Sequence, residues 1–181
     1  MTQNTAWTNV EKALFELNRS DLISFEKLSK APIGSLAKKI RSAGYYNQKS
    51  QRLKHISRYF MEKYDGSPSQ LGSKGIISLR EELLSLDGIG PETADSIMLY
   101  ALGKPVFVID AYTRRIFSRI GLADKGWWYE EFQSFFHANL DPDVRVFNEY
   151  HALIVGLAKR HCKTKPVCGG CPLSRYCQKL I

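Results

Sequence analysis

The chain has 181 residues, 26 lysines and arginines against 18 aspartates and glutamates, and a formal net charge of +8. That length can bury a real core, in one domain or two small ones, and the basic excess favours a polyanionic partner over a neutral small molecule, with nucleic acid the leading candidate. No apolar stretch approaches the roughly 20 residues of a spanning helix, and no basic amphipathic segment stands apart as an anchor. The start MTQNTAWTNVEKALFEL carries no export signature, so no membrane partner and a reducing cytoplasm are expected.

Helical periodicity dominates and no sustained alternation appears, so the predicted class is all-α. A first helix is expected over 7–17 with Trp7, Val10, Leu14 and Leu17 on one side, a short helical turn over 25–29 and a third helix over 33–42, stopped by Gly44. A longer helix begins at Asn47 or Gln48, its Leu53, Ile56, Phe60 and Tyr64 facing inward while Lys49, Arg52, Lys54 and Arg58 stay wet. Turn residues 65–68 end it and a loop follows. Two helical patterns then flank a glycine hairpin: Leu79, Leu83, Leu84 and Leu86 before it, Ala94, Ile97, Met98 and Ala101 after it. A short extended run, 106–109, closes on Asp110, and further helices are expected over 111–120, 129–139 and 147–160.

The hairpin Asp87-Gly88-Ile89-Gly90 is tight, and Pro91 suits the first turn of the following helix. Backbone without side chains at a helix start leaves amide N–H groups that can hold a phosphate, independent of base sequence; an ordinary core hairpin has the same pattern. Asp110, between an extended run and a helix, reads equally as an N-cap, and that role keeps a carboxylate ionised.

All four cysteines, Cys162, Cys168, Cys171 and Cys177, lie in the last twenty residues with five, two and five residues between them. They read as ligands of one metal centre. Zinc prefers two close pairs split by a longer loop, whereas one compact run with a central CxxC spreads its ligands around a larger object, which favours an iron–sulfur cluster over zinc. Lys163, Lys165 and Arg175 among them can offset thiolate charge and meet phosphates, or simply be solvated.

Taken together, the hairpin, Asp110 and the cysteines resemble the endonuclease III family of helix-hairpin-helix (HhH-GPD) DNA glycosylases over nearly the whole chain. The family's leucine, glycine-apolar-glycine and threonine-alanine pattern is met by Leu86, Gly88, Ile89, Gly90, Thr93 and Ala94. Its catalytic aspartate before an arginine-bearing helix is met by Asp110 with Arg114 and Arg115, and its four-cysteine loop by the run above. The stretch Gly44-Tyr45-Tyr46-Asn47 with Lys49 resembles the loop into the family's fourth helix, and Thr2-Gln3-Asn4-Thr5 the segment whose glutamine wedges into the DNA stack.

Three departures matter. Bifunctional members carry a Schiff-base lysine two positions after the second hairpin glycine, where this chain has Glu92. The first cysteine gap is one residue shorter than usual. The match also begins almost at Met1, so the helix ahead of the glutamine segment in relatives has no counterpart here.

The resemblance implies a two-lobed fold, with residues 1–105 carrying the hairpin and 106–181 carrying the acid and a 4Fe-4S loop. It implies a monomeric, monofunctional glycosylase acting on double-stranded DNA with a damaged base, closest to the branch that removes alkylated purines such as 3-methyladenine. Thymine- or uracil-mispair glycosylases and a bifunctional glycosylase/AP lyase are the alternatives within the family, and a non-catalytic DNA-binding module is the alternative outside it. In this reading Asp110 stabilises positive charge developing on the sugar, Gln3 fills the gap in the stack, and Gly88, Ile89, Gly90, Thr93, Lys163 and Lys165 contact DNA. Trp7 and Tyr112, ahead of Tyr100, stack on the flipped base, and Glu92 shapes the pocket or caps its helix.

Overall fold

A computed structural model describes residues 1–181, and every regular element in it is helical. Contacts between Cα atoms divide the chain into two units, Met1–Gly75 with Leu86–Gly88, and Ile76–Ser85 with Ile89–Ile181. The division falls earlier in the chain than the 105/106 boundary read from the sequence.

The first unit holds α1 (Trp7–Arg19), α2 (Phe25–Lys30), α3 (Ile33–Lys39), a 3-10 turn (Arg41–Ala43), α4 (Tyr46–Tyr64) and α5 (Pro68–Gly72). Ala13, Leu17, Leu36, Ile40 and Ala43 form its core, with Leu28, Tyr46 and Leu53 packed alongside. The inward stripe of α1 runs through Val10, Ala13 and Leu17, so Trp7 and Leu14, expected on that face, stay exposed at 54% and 38%. The small Ala13 side chain allows closer approach than Leu14 would. The five-residue α5, in a stretch expected as loop, starts on Pro68, whose fixed φ suits a first helical position.

Lys49 corrects the expected wet face of α4, for it is buried at 8%. Its Nζ donates to the carbonyls of Met1 (3.0 Å), Gln3 (2.9 Å) and Ala43 (2.7 Å) and to Thr5 Oγ1 (2.6 Å). Four oxygens around one ammonium replace the water it gives up.

The second unit holds α6 (Ile76–Leu84), α7 (Pro91–Ser96), a π-helical turn (Ile97–Ala101), α8 (Ala111–Ile120), α9 (Tyr129–Asn139) and α10 (Val144–Arg160). Its core is aromatic: Phe107 stacks on Phe136 at 3.9 Å between centroids, with Phe117, Phe132 and Phe147 buried around them. The apolar run 106–109, expected to be extended, has no regular secondary structure and is fully buried. The π turn adds a residue to one helical turn, which shifts the buried side chains to Ala94, Met98 and Leu99 and leaves Ala101 exposed, contrary to the straight-helix expectation.

Candidate active site

Val106–Ile109 delivers Asp110, and three of its backbone polar groups are satisfied by side chains. Phe107 N–H donates to His137 Nε2 (3.1 Å), Ile109 N–H to Tyr129 OH (3.2 Å), and Gln133 Nε2 donates to Phe107 C=O (2.8 Å). Gln133 also donates to Asp95 Oδ2 at 2.7 Å. The fully buried Asp95 takes a two-pronged contact from Arg80, Nε to Oδ1 at 2.7 Å and Nη2 to Oδ2 at 3.1 Å. One network thus ties α6, α7 and α9 to the buried run that ends at Asp110.

Asp110 is the N-cap of α8. Its Oδ1 accepts from the Thr113 N–H (2.7 Å) and the Thr113 hydroxyl (2.8 Å). Oδ2 lies 3.5 Å from Nε2 of His151, on α10, whose Nδ1 is hydrogen-bonded to the Tyr100 phenol. Burial raises the Asp110 carboxyl, but the His151 and Thr113 contacts outweigh it, and the net shift is below the ordinary value. Tyr100, in the π turn, is pushed up to about 12 by burial and by the Asp110 charge. Glu92, at the start of α7, is raised by partial desolvation and then by Asp110. A carboxylate lowered in pKa, a second carboxylate raised in pKa and a phenol therefore share this corner of the second unit.

The other expected site residues fall as follows. Gly88 adopts φ +83°, and a Cβ there would lie 2.4 Å from Cδ of Arg52, so both conformation and space demand glycine. Gly90 is the N-cap of α7 with no side-chain cap, Ile89 is buried, and Thr93 is half-buried. Gln3 is exposed, in the loop held by Lys49. Trp7 belongs to the first unit, where its Nε1 donates to Glu11 at 2.8 Å. Tyr112 packs against the aromatic core, with the Arg115 guanidinium 5.1 Å from its ring centre. Within the second unit Tyr100 reaches the Asp110 cluster through His151.

Cys162, Cys168, Cys171 and Cys177 line one small cavity together with His161 and Arg119. Two arginines of α8 hold this loop. Arg115 Nε donates to Cys162 C=O (2.8 Å), and Arg119 donates to the carbonyls of Lys163 (2.6 Å) and Thr164 (3.0 Å). Lys163 and Lys165 are exposed. The Arg119 Nη1 lies 3.6 Å from Cys162 Sγ, and the Lys179 N–H 3.3 Å from Cys177 Sγ, so positive charge and a donor already face sulfur.

His151 escaped the sequence reading, and its signal was there. Phe147, Ile154 and Ala158 are the buried stripe of α10, and position 151 falls on that stripe. A titratable residue on an apolar face asks for a partner.

The sequence profile of HhH-GPD superfamily base excision DNA repair proteins matches residues 1–140. The chain belongs to that superfamily. A Methanocaldococcus jannaschii protein provisionally named a DNA repair glycosylase is 43% identical over 178 residues, spanning 98% of this chain and 81% of its own. The crystal structure of the Helicobacter pylori 3-methyladenine DNA glycosylase bound to 1,N6-ethenoadenine superposes with a TM-score of 0.78 at 27% identity, covering 88% of this chain and 80% of that one. A non-covalent endonuclease III–DNA complex shares the fold, with a TM-score of 0.84 at 22% identity over 98% and 78% of the two chains. This HhH-GPD protein is a base excision repair DNA glycosylase, a class that hydrolyses N-glycosidic bonds. None of its helices is long and apolar enough to cross a membrane.

Proposed function

We propose that this HhH-GPD glycosylase is monofunctional and releases alkylated purines from double-stranded DNA, with Asp110 as the catalytic carboxylate. The observation that carries the reading is the Asp110 geometry: an N-cap carboxylate lowered in pKa by His151 and Thr113, with Glu92 beside it where bifunctional relatives carry an amine. Rupture of the N-glycosidic bond builds positive charge on the sugar, and an ionised carboxylate near it stabilises that charge and orients the attacking water. A glutamate forms no Schiff base, so the strand is left intact. An alkylated purine is cationic and a good leaving group; the acidic, phenolic surroundings of Asp110 suit such a base, and the H. pylori enzyme, with its alkylpurine name, supports the same class.

In this reading Gln3 enters the gap left by the flipped nucleotide, while Gly88, Ile89, Gly90, Thr93, Lys163 and Lys165 grip the backbone. Trp7 and Tyr112 contact the extruded base. The four cysteines would hold a 4Fe-4S cluster in the basic C-terminal loop. Their common cavity and the Arg119 charge beside Cys162 support this reading, although no three of these side chains are placed to hold a single metal ion.

The test is a panel of duplexes bearing alkylated purines, uracil or mispaired thymine, assayed for free base and for borohydride-trapped adduct. Alkylpurine release without an adduct is expected. An adduct overturns monofunctionality, and release of uracil or thymine alone overturns the substrate class. Asp110→Asn should lower release by roughly 10²-fold or more while DNA binding persists.

A further inference from the structure

We propose that His151 is the positioning residue for Asp110: the Tyr100 phenol holds one imidazole nitrogen so that the other presents its N–H to the Asp110 carboxylate and fixes its orientation. The inference rests on Asp110 being the catalytic carboxylate. Three elements converge here, the π turn with Tyr100, the start of α8 with Asp110, and the second turn of α10 with His151, and α10 packs directly on the other two.

The proton placement follows from the partners. Tyr100 keeps its proton, since burial and the Asp110 charge raise it to about 12, and in the proposed arrangement that O–H is the donor to His151 Nδ1. A neutral imidazole that accepts at Nδ1 carries its hydrogen on Nε2. That Nε2 is buried and has no hydrogen-bond partner, and Asp110 Oδ2 stands 3.5 Å away. With both side chains mostly shielded, at 12% and 14% exposure, an unmet donor facing an acceptor is a contact one small shift from closing. Hydrogen bonds of catalytic groups are often long without substrate and tighten in the complex. Since Thr113 supplies both donors to Oδ1, His151 is what restrains the second oxygen. The remaining ionisable group facing Asp110 is Glu92 on α7, which opposes its charge, so a donor from α10 offsets that repulsion.

His151→Ala, His151→Gln and Tyr100→Phe are compared with the unaltered protein for single-turnover base release across pH, and for Asp110 titration followed by side-chain carboxyl 13C shift. His151→Ala is expected to slow release roughly 10²-fold, the loss a misplaced group produces, and to move both the acid limb and the Asp110 midpoint to higher pH. His151→Gln, whose amide can reach the same oxygen, restores part of both, and Tyr100→Phe shifts both in the same direction by less. Tyr100 is half-exposed, so Tyr100→Phe reads the proposal even where His151→Ala fails to fold. An unchanged Asp110 midpoint and acid limb in the folded variants overturns it. If Asp110→Asn itself retains full activity, the catalytic assignment of Asp110 fails instead, while the titration still reports whether His151 holds the carboxylate.

Discussion

Asp110 serves two ends with one carboxylate. Oδ1 caps α8, a stability role common to many aspartates, and the same contacts keep the group ionised for charge stabilisation. Because its folded pKa lies below the unfolded one, its contribution to stability is present above the unfolded value and is lost as pH falls through the folded value. Base release should therefore hold its rate down to a pH below the ordinary carboxylate range, an acid limb that a pH–rate profile measures. Gly88 is a second position where one residue decides. Gly88→Ala should cost at least about 1–2 kcal/mol for the left-handed backbone, with Arg52 displaced in addition, readable as a lower urea midpoint.

At the scale of elements, two buried networks hold the segments that carry function. Removing Asp95 leaves Arg80 and Gln133 without their shared acceptor, so Asp95→Ala should destabilise the second unit by about 3 kcal/mol in chemical unfolding, with Asp110 loosened as a consequence. Lys49 does for the Gln3 loop what Asp95 does for the Asp110 segment. Lys49→Met should strip the ammonium donor from four oxygens, of which the Gln3 and Ala43 carbonyls keep the Thr5 hydroxyl, costing about 1–3 kcal/mol, and should raise proteolysis near Gln3 before the rest of the unit is affected. After α7 the π turn is the element-scale device: an extra residue in one turn re-aims its side chains, and Tyr100 is the one that meets His151.

At the scale of the molecule, the charge of +8 sets how DNA is held. Affinity for undamaged duplex should fall by at least about tenfold between 50 and 200 mM salt, checked by fluorescence titration, because each neutralised phosphate releases a counterion. Purified protein should be brown and carry about four iron atoms per chain, and zinc content with no colour would refute the cluster.

Much of this was open to inspection in the chain itself. The helical class, the glycine hairpin, the cysteine run and an acidic residue closing the apolar segment 106–109 all rest on local spacing, and spacing survives folding unchanged. What only tertiary structure decided were partnerships between distant residues. Lys49 read as wet because its helix face is polar, yet oxygens from residues 1–5 and 43 close over it. His151 read as one more helical residue until the π turn brought Tyr100 to it, 51 positions earlier in the chain. Periodicity determines which face of a helix turns inward; it carries no information about which polar group from another element waits there, and the restraints around Asp110 and the Gln3 loop are of that second kind.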